Sequence, residues 1–145
     1  MSQKALGRQF NALALADNKW VSLTDADGVA FICYLAAAAG DTYTLTQAQD
    51  GAGTGAKALV AITEYHTSTG DGTDAWTRRT QTAAGTVVTA AAATQNAMVV
   101  EVEGTQLDDG FSHVRLASTG AGAVTALTRD LNVQRAPENL PAMSS

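Results

Sequence analysis

The chain has 145 residues and a formal net charge of −5 at pH 7, and 29 Ala, 19 Thr and 13 Gly fill much of its length. Charged residues are 16% and aromatics 6%, which excludes a disordered acidic tail and a nucleic-acid binder that relies on bulk positive charge. No apolar run approaches the roughly 20 residues of a membrane-spanning helix, and two prolines without a Gly-x-x repeat exclude collagen.

Residues 1–18 carry Lys4 and Arg8 among Leu6, Phe10, Leu13 and Leu15. They read as an N-terminal arm, and MSQKALGRQF lacks the apolar stretch of a signal peptide, so synthesis in a cytoplasm is expected. Trp20–Thr24 reads as a short strand and Asp25-Ala-Asp-Gly28 as a turn, since Asp tolerates turns and Gly supplies positive φ. Val29–Leu35 is apolar, β-branched and aromatic, the pattern of a buried strand. The alanines of 36–39 favour helix intrinsically, but Gly40-Asp41 follows at once.

Thr42–Ala48 alternates cleanly, with Tyr43, Leu45 and Gln47 on one face and three threonines on the other. A glycine-rich loop follows over 49–55, then a strand over Lys57–Tyr65 and a polar loop over His66–Asp74. Ala75–Thr82 reads as a polar or edge strand, Thr86–Thr89 as a short one, and Met98–Glu103 as a strand with Glu101 and Glu103 on one face. Asp108-Asp-Gly110 is a turn, Phe111–Ala117 alternates again, and Ala123–Thr128 reads as the last strand. Residues 130–145, with Pro137 and Pro141, read as an extended tail.

Eight or nine short strands divided by Gly/Asp turns predict an all-β fold, a single β-sandwich over 19–129 that is jelly-roll-like or immunoglobulin-like, with terminal arms. Helical alanine runs in an α+β domain are the alternative, but the dense turns leave little room for them. The core is light. Its large anchors include Trp20, Phe31, Ile32, Tyr34, Leu45, Leu59, Ile62, Trp76, Val100, Val102, Val114 and Leu116. So light a core suggests that assembly supplies part of the stability.

Chemical motifs are sparse. Gly51-Ala-Gly-Thr-Gly55-Ala-Lys57 has neither the Gly-Lys-Ser/Thr of a phosphate loop nor the Gly-x-Gly-x-x-Gly of a dinucleotide fold, and reads as a flexible connection. Cys33, the one cysteine, reads as a buried structural thiol. His66 and His113 are too few for a metal cluster. Ser112 and His113, as neighbours on a strand, point to opposite faces and make no catalytic pair. The pairs Asp25/Asp27, Asp71/Asp74 and Asp108/Asp109 all adjoin glycine, so turn formation is favoured over calcium binding. Glu101 and Glu103 suit a solvated face better than a glycosidase pair. Arg78-Arg79 beside Trp76 could stack on single-stranded bases, but an ion pair across a subunit boundary explains them as well. No catalytic residue, cofactor or metal is expected.

The order Leu45-Thr-Gln-Ala48, glycine loop, Lys57-Ala-Leu59, Trp76, Val100-Glu-Val102, Leu107-Asp-Asp-Gly-Phe111 and Val114-Arg115 resembles small head structural proteins of tailed bacteriophages, including decoration and minor capsid proteins. The resemblance covers about residues 29–118. It implies a non-enzymatic virion protein on the capsid exterior that binds the major capsid protein and self-associates, as a trimer for example, with no nucleic-acid or membrane partner. Large aromatic and arginine side chains are the usual interface anchors, so Lys4, Arg8, Phe10, Trp20, Trp76, Arg78, Arg79, Arg135 and Leu140 are the candidate contacts. Three alternatives stand beside it. One is a ring-forming head–tail connector or tail component. The second is a carbohydrate-binding sandwich with Trp20, Tyr43, Tyr65 and Trp76 as a stacking platform. The third, a small hydrolase using His66 or His113, is weakest.

Overall fold

The computed structural model describes residues 12–13 and 19–132. The strands, in chain order, are β1 (Ala12–Leu13), β2 (Val21–Ser22), β3 (Ala26–Tyr34), β4 (Thr42–Ala48), β5 (Lys57–Ala58), β6 (Ile62–Ser68), β7 (Thr77–Ala84), β8 (Thr86–Val88), β9 (Ala97–Glu103), β10 (His113–Ser118) and β11 (Ala123–Leu131). Two 3₁₀ turns, Ala93–Gln95 and Gly104–Gln106, flank β9.

The expected all-β sandwich is present. A six-stranded sheet runs β1-β11-β3-β9-β6-β7 and a five-stranded sheet runs β2-β10-β4-β5, with β8 also on β4; every pairing is antiparallel. β5 and β8 share one side of β4: Thr46 and Gln47 pair with β5, Thr42 to Thr44 with β8. The expected terminal arms fall almost wholly outside the described residues.

Period-two alternation builds the core. Val29, Phe31, Cys33, Met98, Val100, Val102 and Ala126 face inward from one sheet. Tyr43, Leu45, Val87, Val114, Leu116 and Val21 face them from the other. Fully burying a side chain of this size contributes about 1.5–3 kcal/mol. Tyr43, only 1% exposed, is a principal anchor although its strand is rich in threonine.

Several local expectations change. Ala26–Gly28 belongs to β3 rather than to a turn, because these residues pair with β11. Glycine is needed at 28 for a different reason: a Cβ there would lie 2.9 Å from both the Arg129 guanidinium and the Val102 carbonyl oxygen. Residues 29–35 are buried on one side only. Ile32 is 39% and Tyr34 45% exposed on the outward face, and Trp76 is exposed too, so these three are not core anchors. The strand expected over 57–65 is two strands in different sheets. Leu59–Ala61 carries the chain across, with Leu59 buried and Val60 exposed. The loop expected from His66 starts only after Ser68, since His66, Thr67 and Ser68 pair with Val99, Met98 and Ala97. β2 is shorter than the expected 20–24, and β11 passes 129 to Leu131. Ala12–Leu13 pairs with β11 at Leu127 and Ala126.

Candidate interaction surface

Trp76, Arg78 and Arg79 gather at β7, which ends the six-stranded sheet. β7 suits an edge because threonine and arginine tolerate solvent on both sides of a strand. Trp76, 49% exposed, stands just before its first residue. The Arg78 guanidinium lies 2.7 Å from the Glu64 carboxylate of β6. That hydrogen bond holds the Glu64 carboxyl below the usual carboxylate range and raises Arg78. Arg79 leaves on the opposite face and donates from Nε to Thr67 Oγ1 at 2.7 Å. Within β7 the Gln81 amide donates to the carbonyl oxygens of Ile62 in β6 and Thr86 in β8, beside the register shift between Ile62 and Glu64.

Lys4, Arg8, Phe10, Arg135 and Leu140 lie outside the described residues. Trp20, expected at a partner surface, is instead buried at 6% exposure. The Arg115 guanidinium covers its ring, 4.3 Å from the centroid, and Gly53 lies against its indole nitrogen. Tyr43 is buried as well and Tyr65 is half-buried, so the four aromatics do not form one exposed platform.

Ser112 and His113 depart from the expected geometry. Ser112 precedes β10, and its hydroxyl meets His113 Nδ1 at 2.8 Å. The arrangement is nonetheless the reverse of an activated serine. Ser112 Oγ donates its one hydrogen to the Gln49 carbonyl at 3.0 Å, so the Nδ1 proton is the one shared with Oγ. Burial pushes the His113 pKa down against the opposing charge of Asp50.

Of the aspartate pairs, Asp71, Asp74 and Asp108 have side-chain partners. Asp71 and Asp74 accept from the Thr69 and Thr73 hydroxyls and amides, which lowers the Asp71 pKa to about 2. Asp108 pairs with Lys57, whose ammonium also sits 4.6 Å from the centroid of the Phe111 ring. Among the described residues no group of three or more His, Cys, Asp or Glu side chains converges as a metal site. Glu64, His66, Glu101 and Glu103 line a shallow groove on the outward face of the six-stranded sheet, where Arg78 and Arg129 pair with Glu64 and Glu103.

The polar residue that sequence reasoning missed is Asp41, 8% exposed at the entry to β4. It accepts from the Thr42 amide at 2.7 Å, the Gly122 amide at 3.0 Å and the Ser118 hydroxyl. Burial pushes its pKa up, but these donors outweigh it and hold the carboxyl below its ordinary value. The loop joining β10 to β11 is thereby tied to the start of β4. The only local sign was an acid directly after Gly40; its main donors come from residues 118–122.

Comparison with protein-family models, with curated proteins and with solved structures returns no match for this chain.

Proposed function

We propose that this chain is a virion structural protein without enzymatic activity, a decoration or minor capsid protein that binds a shell built from the major capsid protein. The observation that carries the reading is the sheet edge formed by β7, with exposed Trp76 just before it and Arg78 and Arg79 on its two faces. Aromatic and arginine side chains are the common energetic anchors of protein interfaces. A small-residue β-sandwich also suits close repetition over a lattice, where many weak contacts sum through multivalency.

Co-sedimentation with matching shells that lack the protein tests the reading. Saturable binding at a fixed ratio to the major capsid protein, with a raised shell melting temperature, is the expected result. Ring formation by the protein alone, without shell binding, would replace it with a connector or tail component. The tail contribution is tested by deleting residues 133–145, which leaves β11 whole. Weakened shell binding with an unchanged fold is expected, and unchanged affinity would remove the tail from the mechanism.

A further inference from the structure

The four sheet edges are unequal. Among the described residues β1 and β2 are two residues long, and β5 and β8, which share the fourth side, are two and three. β7 is eight residues, holds no proline, keeps regular register with β6 over Thr77–Thr80 before a shift to Ala84, and pairs on one side only among the described residues. Short edge strands prevent a sheet from growing, whereas a long open one presents a row of unpaired amides and carbonyls to any extended segment. Charge is unequal as well. From 75 to 100 the chain has no acidic residue and two arginines, on a protein of net charge −5. Among the described residues Arg79 has no carboxylate partner.

From these features we infer that β7 is a strand-addition site, and that its occupant is an extended acidic segment of the partner protein. Main-chain hydrogen bonds along Thr77–Thr80, the stretch in regular register with β6, supply affinity in such pairing, and alternate side chains supply selectivity. An acidic side chain beside Arg79 would complete its charge, and Trp76 closes one end of the site. A second copy is the poorer occupant, because β7 against β7 gathers four arginines, and Glu64 answers only the Arg78 of each copy. The inference builds on the proposed shell binding by naming the contact and its chemistry.

Hydrogen–deuterium exchange over 77–84 in the free and shell-bound protein is the test. The expected result is fast exchange when free and exchange about tenfold or more slower when bound, with β3 unchanged. Binding that leaves 77–84 exchanging as in the free protein overturns the inference and leaves the proposed function standing. Slow exchange already in the free protein also overturns it, since the edge is then filled by the chain itself. If shells do not bind at all, the proposed function fails and a soluble probe decides the edge. That probe is an extended octapeptide alternating Thr, Glu and Val, compared with its Lys-for-Glu counterpart. Amide shifts confined to β7 with the acidic peptide alone support the inference, and shifts with neither or with both overturn it. Arg79→Glu should weaken either interaction about tenfold while thermal melting stays that of a folded protein.

Discussion

Asp41 Oδ2 accepts the Gly122 amide at 3.0 Å across 81 residues of sequence, which joins the start of β4 to the turn between β10 and β11. The same carboxylate takes the Ser118 hydroxyl and the Thr42 amide. Asp41→Asn keeps the shape but removes the charge from these bonds, and should cost about 1.5–3 kcal/mol in urea unfolding at neutral pH.

The pH dependence has a definite sign. The folded-state pKa of Asp41 lies below its ordinary value, so its stabilisation is complete above about pH 4, the unfolded value. It is lost as pH falls through the folded value. The stability gap between the native protein and Asp41→Asn should therefore narrow below about pH 4, as read from urea midpoints across an acid series. A constant gap would show that the carboxylate charge is not what holds the turn.

Gly122 and Gly72 separate crowding from backbone strain. A Cβ at Gly122 would lie 2.5 Å from Asp41 Oδ2 and 2.6 Å from the Tyr43 hydroxyl. Gly122→Ala should destabilise by about 1–3 kcal/mol through displacement of these groups. Gly72 has φ +81 and open space around it, so Gly72→Ala should cost only about 1–2 kcal/mol from the backbone. Thermal melting of both variants checks the order. It also checks the location, because Gly122→Ala should raise exchange in the β10–β11 turn and Gly72→Ala should not.

Cys33 is fully buried between the sheets, and burial pushes its thiol far above the ordinary range. A thiol reagent at neutral pH should not label the folded protein and should label it fully in denaturant. Cys33→Ser places a hydroxyl among Phe31, Met98 and their neighbours and should cost about 1–3 kcal/mol.

Trp20 and Arg115 form a stacked pair at 4.3 Å. Arg115→Lys keeps the charge but loses the flat guanidinium cover, at a cost of about 0.5–2 kcal/mol. Trp20→Ala should cost about 3–5 kcal/mol. Emission separates the two tryptophans, since the buried Trp20 should respond to Arg115→Lys while the exposed Trp76 should not.

Where one face of a strand is buried, its pattern was readable. Thr42–Ala48 alternates in the structure as in the sequence, because Tyr43, Leu45 and Gln47 all face inward. The failures share a cause in distant neighbours. Asp25–Gly28 has the composition of a turn, yet Arg129 and Leu131 draw Gly28 and Ala26 into a sheet. The crossing at Leu59–Ala61 interrupts a run whose composition is uniformly strand-like, and only the second sheet determines where it breaks. At the candidate surface, Trp76, Arg78 and Arg79 are adjacent in sequence, so their grouping was visible. Trp20 was readable as a core anchor, but its cover by Arg115 and Gly53 was not, since both are distant in sequence.

The placement of β11 between β1 and β3 has a consequence during synthesis. β3 is made well before its neighbour on that side, so a nascent chain carries the β3 edge open until residues 123–131 have left the ribosome. Until then the edge through Phe31 and Cys33 can pair with other chains, as open edges in partly folded proteins do. Messages truncated before codon 123 should therefore yield aggregating product rather than a smaller folded domain.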